Sequence, residues 1–122
     1  MYAPEGEIGV ADGSILSYLR AEPAMTLVAY SPLLNGAYTR QDKELDRAYD
    51  HPGTRARLDA LGQVAKETGA TANQVVLAWL IGGEPAVVPL VGASSVAQLD
   101  ESLAAVDLEL SAEQRQLLDA AN

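Results

Sequence analysis

Two short stretches of this 122-residue sequence combine residue types that could hold a ligand. One reads Tyr30-Ser31-Pro32-Leu33-Leu34-Asn35-Gly36, the other Val91-Gly92-Ala93-Ser94-Ser95. Each follows a continuous apolar run, MTLVAY over 25–30 and AVVPLV over 86–91. In the second stretch a glycine and two hydroxyls lead straight into a helix. The unpaired N–H groups of a first helical turn, together with the helix dipole, favour an anion such as a phosphate. Gly92 has no side chain to keep a ligand from the backbone. The same residues also spell an ordinary glycine turn with a serine cap, and the spacing alone leaves both readings open.

Other chemistries are excluded by composition. The chain has no cysteine and one histidine, His51, so a thiolate metal site, a cysteine nucleophile, a disulfide framework and a multi-histidine centre within one chain are ruled out. No Ser-His-Asp or paired-carboxylate arrangement stands out. The net charge is −9, from 8 basic and 17 acidic residues, which repels phosphate backbones and argues against a nucleic-acid partner. The charge is uneven: over 40–57 five basic residues (Arg40, Lys43, Arg47, Arg55, Arg57) meet four acidic ones. An anionic ligand would find its cations there, although a solvated loop and helix end accounts for the same pattern. No apolar run approaches the ~18 residues of a membrane span, and MYAPEGEIGVADG lacks the basic and apolar regions of a secretory signal. The expectation is a soluble, cytoplasmic protein without a membrane partner.

The elements that would position the two stretches alternate. Residues 1–11 read as a loose leader, and 12–122 as one unit. Ile15, Leu16, Tyr18 and Leu19 fall at helical spacing after Asp12, a possible cap, with Tyr18 and Leu19 expected in the core. The run 25–30 suits a strand buried on both faces. A long polar stretch, 33–52, holds Tyr38 and Tyr49 and reads as a mobile or functional loop. A helix over 54–68 places Leu58, Leu61, Val64 and Ala65 on one face, with Gly69 as its stop. Thr71 and Gln74 form a capping box that opens the apolar helix 72–81, in which Trp79 is expected to be core. The second strand, 86–91, contains Pro89, which cannot donate a ladder bond. Capping boxes Ser95–Gln98 and Ser111–Gln114 open two more helices, 96–106 and one ending near Ala121. This is an α/β order with a parallel sheet. Two parallel strands leave apolar faces that so short a chain covers poorly, so the chain looks like a piece of a larger sheet.

The stretch LVAYSPLLNGAYTR resembles strand seven and its loop in the aldo-keto reductases. The stretch GATANQVVLAWLIGGEPAVVPLVGASSVAQLDESLAAVDLELS resembles their seventh helix, eighth strand and eighth helix, in the family order. The resemblance covers about 14–121. It implies a partial (β/α)8 barrel whose two parallel strands are equivalent to strands 7 and 8, and it implies NADPH as cofactor. Such barrels often hold phosphate in the loops after strands seven and eight. By this resemblance, Tyr30 matches the aromatic residue that stacks on the nicotinamide ring. Ser31, Leu33 and Asn35 match the loop over the pyrophosphate, with Arg40 close by. Gly92, Ala93, Ser94 and Ser95 match the turn that holds the adenosine 2′-phosphate, and Gln98, Glu101 and Ser102 line the adenine side. Two departures stand out: the family usually has Asn where this chain has Ser102, and many members carry a Lys or Arg in the 2′-phosphate turn, where this chain has small residues.

The same resemblance places the family's catalytic Tyr, Lys, Asp and His in the first half of the barrel, before strand five. His51, Lys43, Lys66, Tyr38 and Tyr49 do not fall at matching positions. The chain therefore reads as a truncated member that keeps the NADP(H)-binding end. One expectation is NADPH-dependent reduction of an unidentified acceptor, such as a quinone or dye that needs little acid catalysis. The alternative is a non-catalytic cofactor-binding or interaction module that docks on a partner barrel half, and a third reading is a fragment with no function. Open strand edges also predict a homo-oligomer.

Overall fold

The computed structural model describes residues 13–36, 38–39 and 52–121. The leader 1–11, the Asp12 cap, Arg40, Tyr49 and His51, and most of the long polar stretch, lie outside the described residues. The order is α1 (Gly13–Ala21), β1 (Leu27–Tyr30), a 3-10 turn (Leu34–Gly36), α2 (Pro52–Thr68), α3 (Ala72–Ile81), β2 (Val87–Leu90), α4 (Val96–Ala104), a second 3-10 turn (Ala105–Asp107) and α5 (Ala112–Ala120). The two strands pair in parallel, Leu27 opposite Val87 and Tyr30 opposite Leu90. Parallel neighbours require a long crossover, and α2 and α3 supply it. The result is the α/β arrangement of a partial barrel.

The strands are not buried on both faces. Both alternate half-buried with exposed residues. Because the register pairs Val28 with Val88 and Tyr30 with Leu90, the exposed residues share one face. Their exposures run from 51% at Val88 to 71% at Tyr30. The helix α3 packs against β2, and Leu27, Ala29, Val87 and Pro89 form the covered face. Pro89 is tolerated because a strand in a two-stranded sheet has a free side.

The core lies among the helices. Leu61 and Val64 of α2 meet Val75 of α3, as the helical spacing of the first two dictates. Leu108, Leu110, Leu117 and Leu118 close over them from the C-terminal segment. Tyr38 also packs against this cluster, so the loop residue expected to be mobile is held by burial of its ring. Leu77 and Ala78 are buried as well.

Two aromatic residues expected in the core are exposed. Tyr18 is 57% exposed, whereas Leu19 beside it is buried. Trp79 is 37% exposed, and its Nε1–H donates to Asp119 Oδ1 of α5 at 2.7 Å. A helix apolar all round can turn only part of its surface to the core, and an indole N–H is best placed where a polar partner is within reach.

The helix ends follow local chemistry. Gly69, with φ +72°, supplies the left-handed residue that stops α2. Thr71–Gln74 and Ser111–Gln114 are complete capping boxes. At the C-terminus of α3, Arg115 of α5 donates through Nη2 to Ala78 O (3.1 Å) and through Nη1 to Trp79 O (3.2 Å). A cation there complements the helix dipole. A side chain at Gly82 would run into that guanidinium, which gives the glycine a packing reason to be there.

Substituting Leu77→Ala, at a side chain 1% exposed, is expected to lower unfolding stability by about 2–5 kcal/mol in urea titrations. A second prediction concerns acid. Glu67 accepts hydrogen bonds from Gln63 Nε2 (2.9 Å) and Gln114 Nε2 (3.3 Å), and these hold its carboxyl below the ordinary value. A carboxyl depressed in the folded state adds stability that is present above its unfolded pKa and is lost as pH falls through the folded one. Melting temperature measured from neutral pH down to about pH 3 should therefore fall less steeply for Glu67→Gln than for the natural chain. The difference is small, because the group is exposed to solvent.

Candidate functional site

The in-register pair sends both exit loops from one edge of the sheet, with Tyr30 and Leu90 side by side at its end. Neighbouring strands are about 4.8 Å apart, so the two loops begin within one ligand's reach. Tyr30 presents its ring on the exposed face.

Immediately after β1 the backbone is strained. Ser31 has φ +52° and Leu34 φ +47°, a left-handed conformation that side chains other than glycine rarely adopt. Pro32 contributes, because it disfavours the right-handed helical region for the residue before it. Short hydrogen-bonded turns hold the bend: Leu34 N–H donates to Ser31 O (3.2 Å) and Gly36 N–H to Leu33 O (2.9 Å). Strain of this kind persists where surroundings over-determine it, often at ligand sites. Leu33 is half-buried in this turn.

The loop after β2 is open. Residues 92–95 are exposed, and no atom lies within 4 Å of where a Gly92 side chain would begin. Ser95 caps α4 by accepting from Gln98 N–H at 3.2 Å. The reciprocal half of the expected capping box is absent. Gln98 Oε1 instead accepts from Ser94 N–H (2.8 Å) and from the Ser94 hydroxyl (2.9 Å). A backbone N–H can only donate, so the carboxamide must turn its oxygen to Ser94 and its Nε2–H2 group outward. Ser94 thus has both donors engaged within the turn. The Ser95 hydroxyl proton, Gln98 Nε2 and the first-turn N–H groups of Val96 and Ala97, which helix geometry leaves without intrahelical acceptors, remain as donors toward a ligand.

Further along α4, Glu101 Oε1 accepts from the Thr71 hydroxyl at 2.7 Å, and Gln74 Nε2 donates to Glu101 O at 3.0 Å. Ser102 is half-buried beside it. The structure therefore gathers Tyr30, Ser31, Leu33, Gly92, Ala93, Ser94, Ser95 and Gln98 along one edge, with Glu101 and Ser102 continuing down α4. Arg40 and the side chain of Asn35 lie outside the described residues. So do Lys43 and Arg47. Arg57 of the same basic segment donates to Ala121 O at 3.0 Å, at the end of α5.

In the sequence, Thr71 and Gln74 mark only a helix start. The threonine has a second capacity, a hydroxyl proton left over once its oxygen caps the helix, and that is the signal that could have been used. A cleft of about 310 Å³ between Ile81, Gly82, Leu108, Glu109 and Arg115 lies at the C-terminal end of α3, about 15 Å along that helix from Thr71. It does not adjoin the loop edge. Among the described residues there is no metal-ligating cluster, and no helix is long and apolar enough to cross a membrane.

A parallel strand pair joined through crossover helices is the repeating unit of α/β folds, in which ligands bind at the C-terminal ends of the strands. The family model described as "Aldo/keto reductase family" matches residues 10–122, and the chain belongs to that family. An uncharacterized oxidoreductase of Mycobacterium bovis is 40% identical over 108 residues, covering 78% of this chain and 33% of that protein. Pyridoxine 4-dehydrogenase of Escherichia coli is 44% identical over 66 residues, 54% of this chain and 23% of that protein. Among solved structures, a thermostable aldo-keto reductase in complex with the inhibitor epalrestat superposes with a TM-score of 0.67 at 33% identity. That match covers 89% of this chain and 34% of the solved one. The chain thus spans between about a quarter and a third of the length of these relatives.

Proposed function

We propose that this chain forms the cofactor-holding end of a nicotinamide-dependent oxidoreductase, taking NADPH or NADH along the shared exit edge of β1 and β2. The observation that carries the reading is the register. It sets the exposed Tyr30 ring, the strained turn 31–34 and the open turn 92–95 along one line. Tyr30 offers an aromatic face to the nicotinamide. The Ser31–Leu34 turn, with Asn35 and Arg40 following, borders the pyrophosphate. Gly92 and Ala93 leave the backbone bare, while the Ser95 hydroxyl and the N–H groups of Val96 and Ala97 meet an anionic oxygen. Gln98, Glu101 and Ser102 face the adenosine. When bound, the dinucleotide supplies or accepts a hydride, the chemistry of the oxidoreductases and the dehydrogenase among the relatives.

The residues fit the dinucleotide better than they fit its 2′-phosphate. No Lys or Arg stands in 91–95, so this turn meets a phosphate only with neutral donors. A modest preference between NADPH and NADH follows. Gly92→Leu has space in the fold and should leave stability nearly unchanged. It is expected to weaken NADPH binding about tenfold or more by filling the approach to the backbone, as read by cofactor fluorescence or calorimetry. A natural chain that binds neither nucleotide at millimolar concentration would overturn the proposal.

The exposed sheet face favours a second reading, a non-catalytic module completed by another chain. Val28, Val88 and Leu90 are large apolar residues, each at least half exposed, and both strands have a free edge among the described residues. Such edges template pairing. In this reading a second copy seats on the outer strand edges and leaves the loop end open. Sedimentation at micromolar concentration should show a dimer or larger species, and a stable folded monomer would count against it.

A further inference from the structure

The cleft at the C-terminal end of α3 takes no part in the cofactor reading. Its volume, about 310 Å³, lies at the small end of the range for ligand pockets. Its walls are mostly apolar: Ile81 of α3, Ala105 and Val106 of the second 3-10 turn, and Leu108 beyond it. Two residues of opposite charge, Glu109 and Arg115, share the lining. Among the described residues neither has an ion-pair partner.

Arg115 is held still. Its Nη2 and Nη1 each donate to a carbonyl of α3, and the absence of a side chain at Gly82 makes room for the guanidinium. A guanidinium carries five N–H groups and two are used here, so three remain. The rotamer freedom that a ligand contact would otherwise cost is already given up to the helix end. Glu109 is exposed, in the segment between the 3-10 turn and α5, with half-buried Leu108 and Leu110 on either side. Among the described residues no backbone hydrogen bond engages its carbonyl, which is a second acceptor beside the carboxylate.

We propose that this cleft binds a free amino acid with an aliphatic side chain. The ligand's carboxylate accepts from the spare N–H groups of Arg115, its ammonium donates to Glu109, and its aliphatic group lies against Ile81, Ala105 and Leu108. Charge complementarity selects this class. An apolar carboxylic acid would satisfy Arg115 but set its anion near Glu109, and an apolar amine would do the reverse. A zwitterion meets both signs at once, while its apolar remainder leaves water. The inference is independent of the cofactor reading.

The test is titration of the full chain with L-leucine, N-acetyl-L-leucine and L-leucinamide. Binding is read by calorimetry and by the fluorescence of Trp79, the one tryptophan, whose carbonyl Arg115 holds. Acetylation removes the ammonium, and amidation removes the carboxylate. L-leucine is expected to bind with a Kd of about 1 mM or below, and each blocked form about fivefold or more weakly. Glu109→Gln, a change at an exposed side chain, should weaken L-leucine by a similar factor without weakening N-acetyl-L-leucine. If either blocked form binds as tightly as L-leucine, or if Glu109→Gln leaves L-leucine unaffected, the zwitterion is not what the cleft reads and the inference fails. Absence of L-leucine binding at about 10 mM also overturns it.

Discussion

Everything at the loop end depends on the parallel, in-register pairing of two four-residue strands. With Leu27 opposite Val87, the last residues Tyr30 and Leu90 stand abreast, and the two exit loops start from neighbouring points. A slip of one residue would turn Tyr30 to the helix-covered face and carry the exposed apolar set with it, since side chains alternate with a period of two. The pairing cannot be made locally. It needs the crossover through α2 and α3, whose mutual burial of Leu61, Val64 and Val75 offsets the cost of closing that long connection.

The C-terminal segment fastens that crossover. Arg115 covers the open carbonyls at the end of α3, Asp119 takes the indole proton of Trp79, and Gln114 reaches Glu67 of α2. Each contact is modest alone, but all three join α5 to the crossover helices. At the other end of α3, the Thr71 cap reaches Glu101 of α4. One ten-residue helix is thus fixed at its C-terminus by α5 and at its N-terminus by a residue of α4.

The edge itself is electrically mild. The turn after β2 offers amides and hydroxyls, and part of that supply is turned inward by Gln98. The turn after β1 carries two left-handed residues that are not glycine, a conformational cost held by the turn's own hydrogen bonds and by the strand before it. These features leave the edge with an exposed aromatic ring, backbone donors and hydroxyls rather than with cations.

Much of this was legible in the residues. The helix starts at Thr71 and Ser111, the stop at Gly69 and the apolar face of α2 follow from local rules: a capping hydroxyl paired with a glutamine, a left-handed glycine, a 3.6-residue period. The alternation of helix and strand, and the family motifs of both loops, were readable for the same reason, because they are contiguous. What the sequence did not contain was the choice between equivalent partners. The Gln98 side-chain oxygen could accept from the backbone of Ser95 or from Ser94, and the turn geometry chose Ser94. Trp79 could enter the core or meet a polar group, and Asp119, forty residues on, drew it to the surface. The strand runs were apolar enough for two buried faces, but a strand's burial depends on what covers it, and here helices cover one side. Glu101 acquired its partner in the same way. Thr71 and Glu101 are thirty residues apart, and only the packing of α4 on α3 brings a spare hydroxyl proton to a carboxylate.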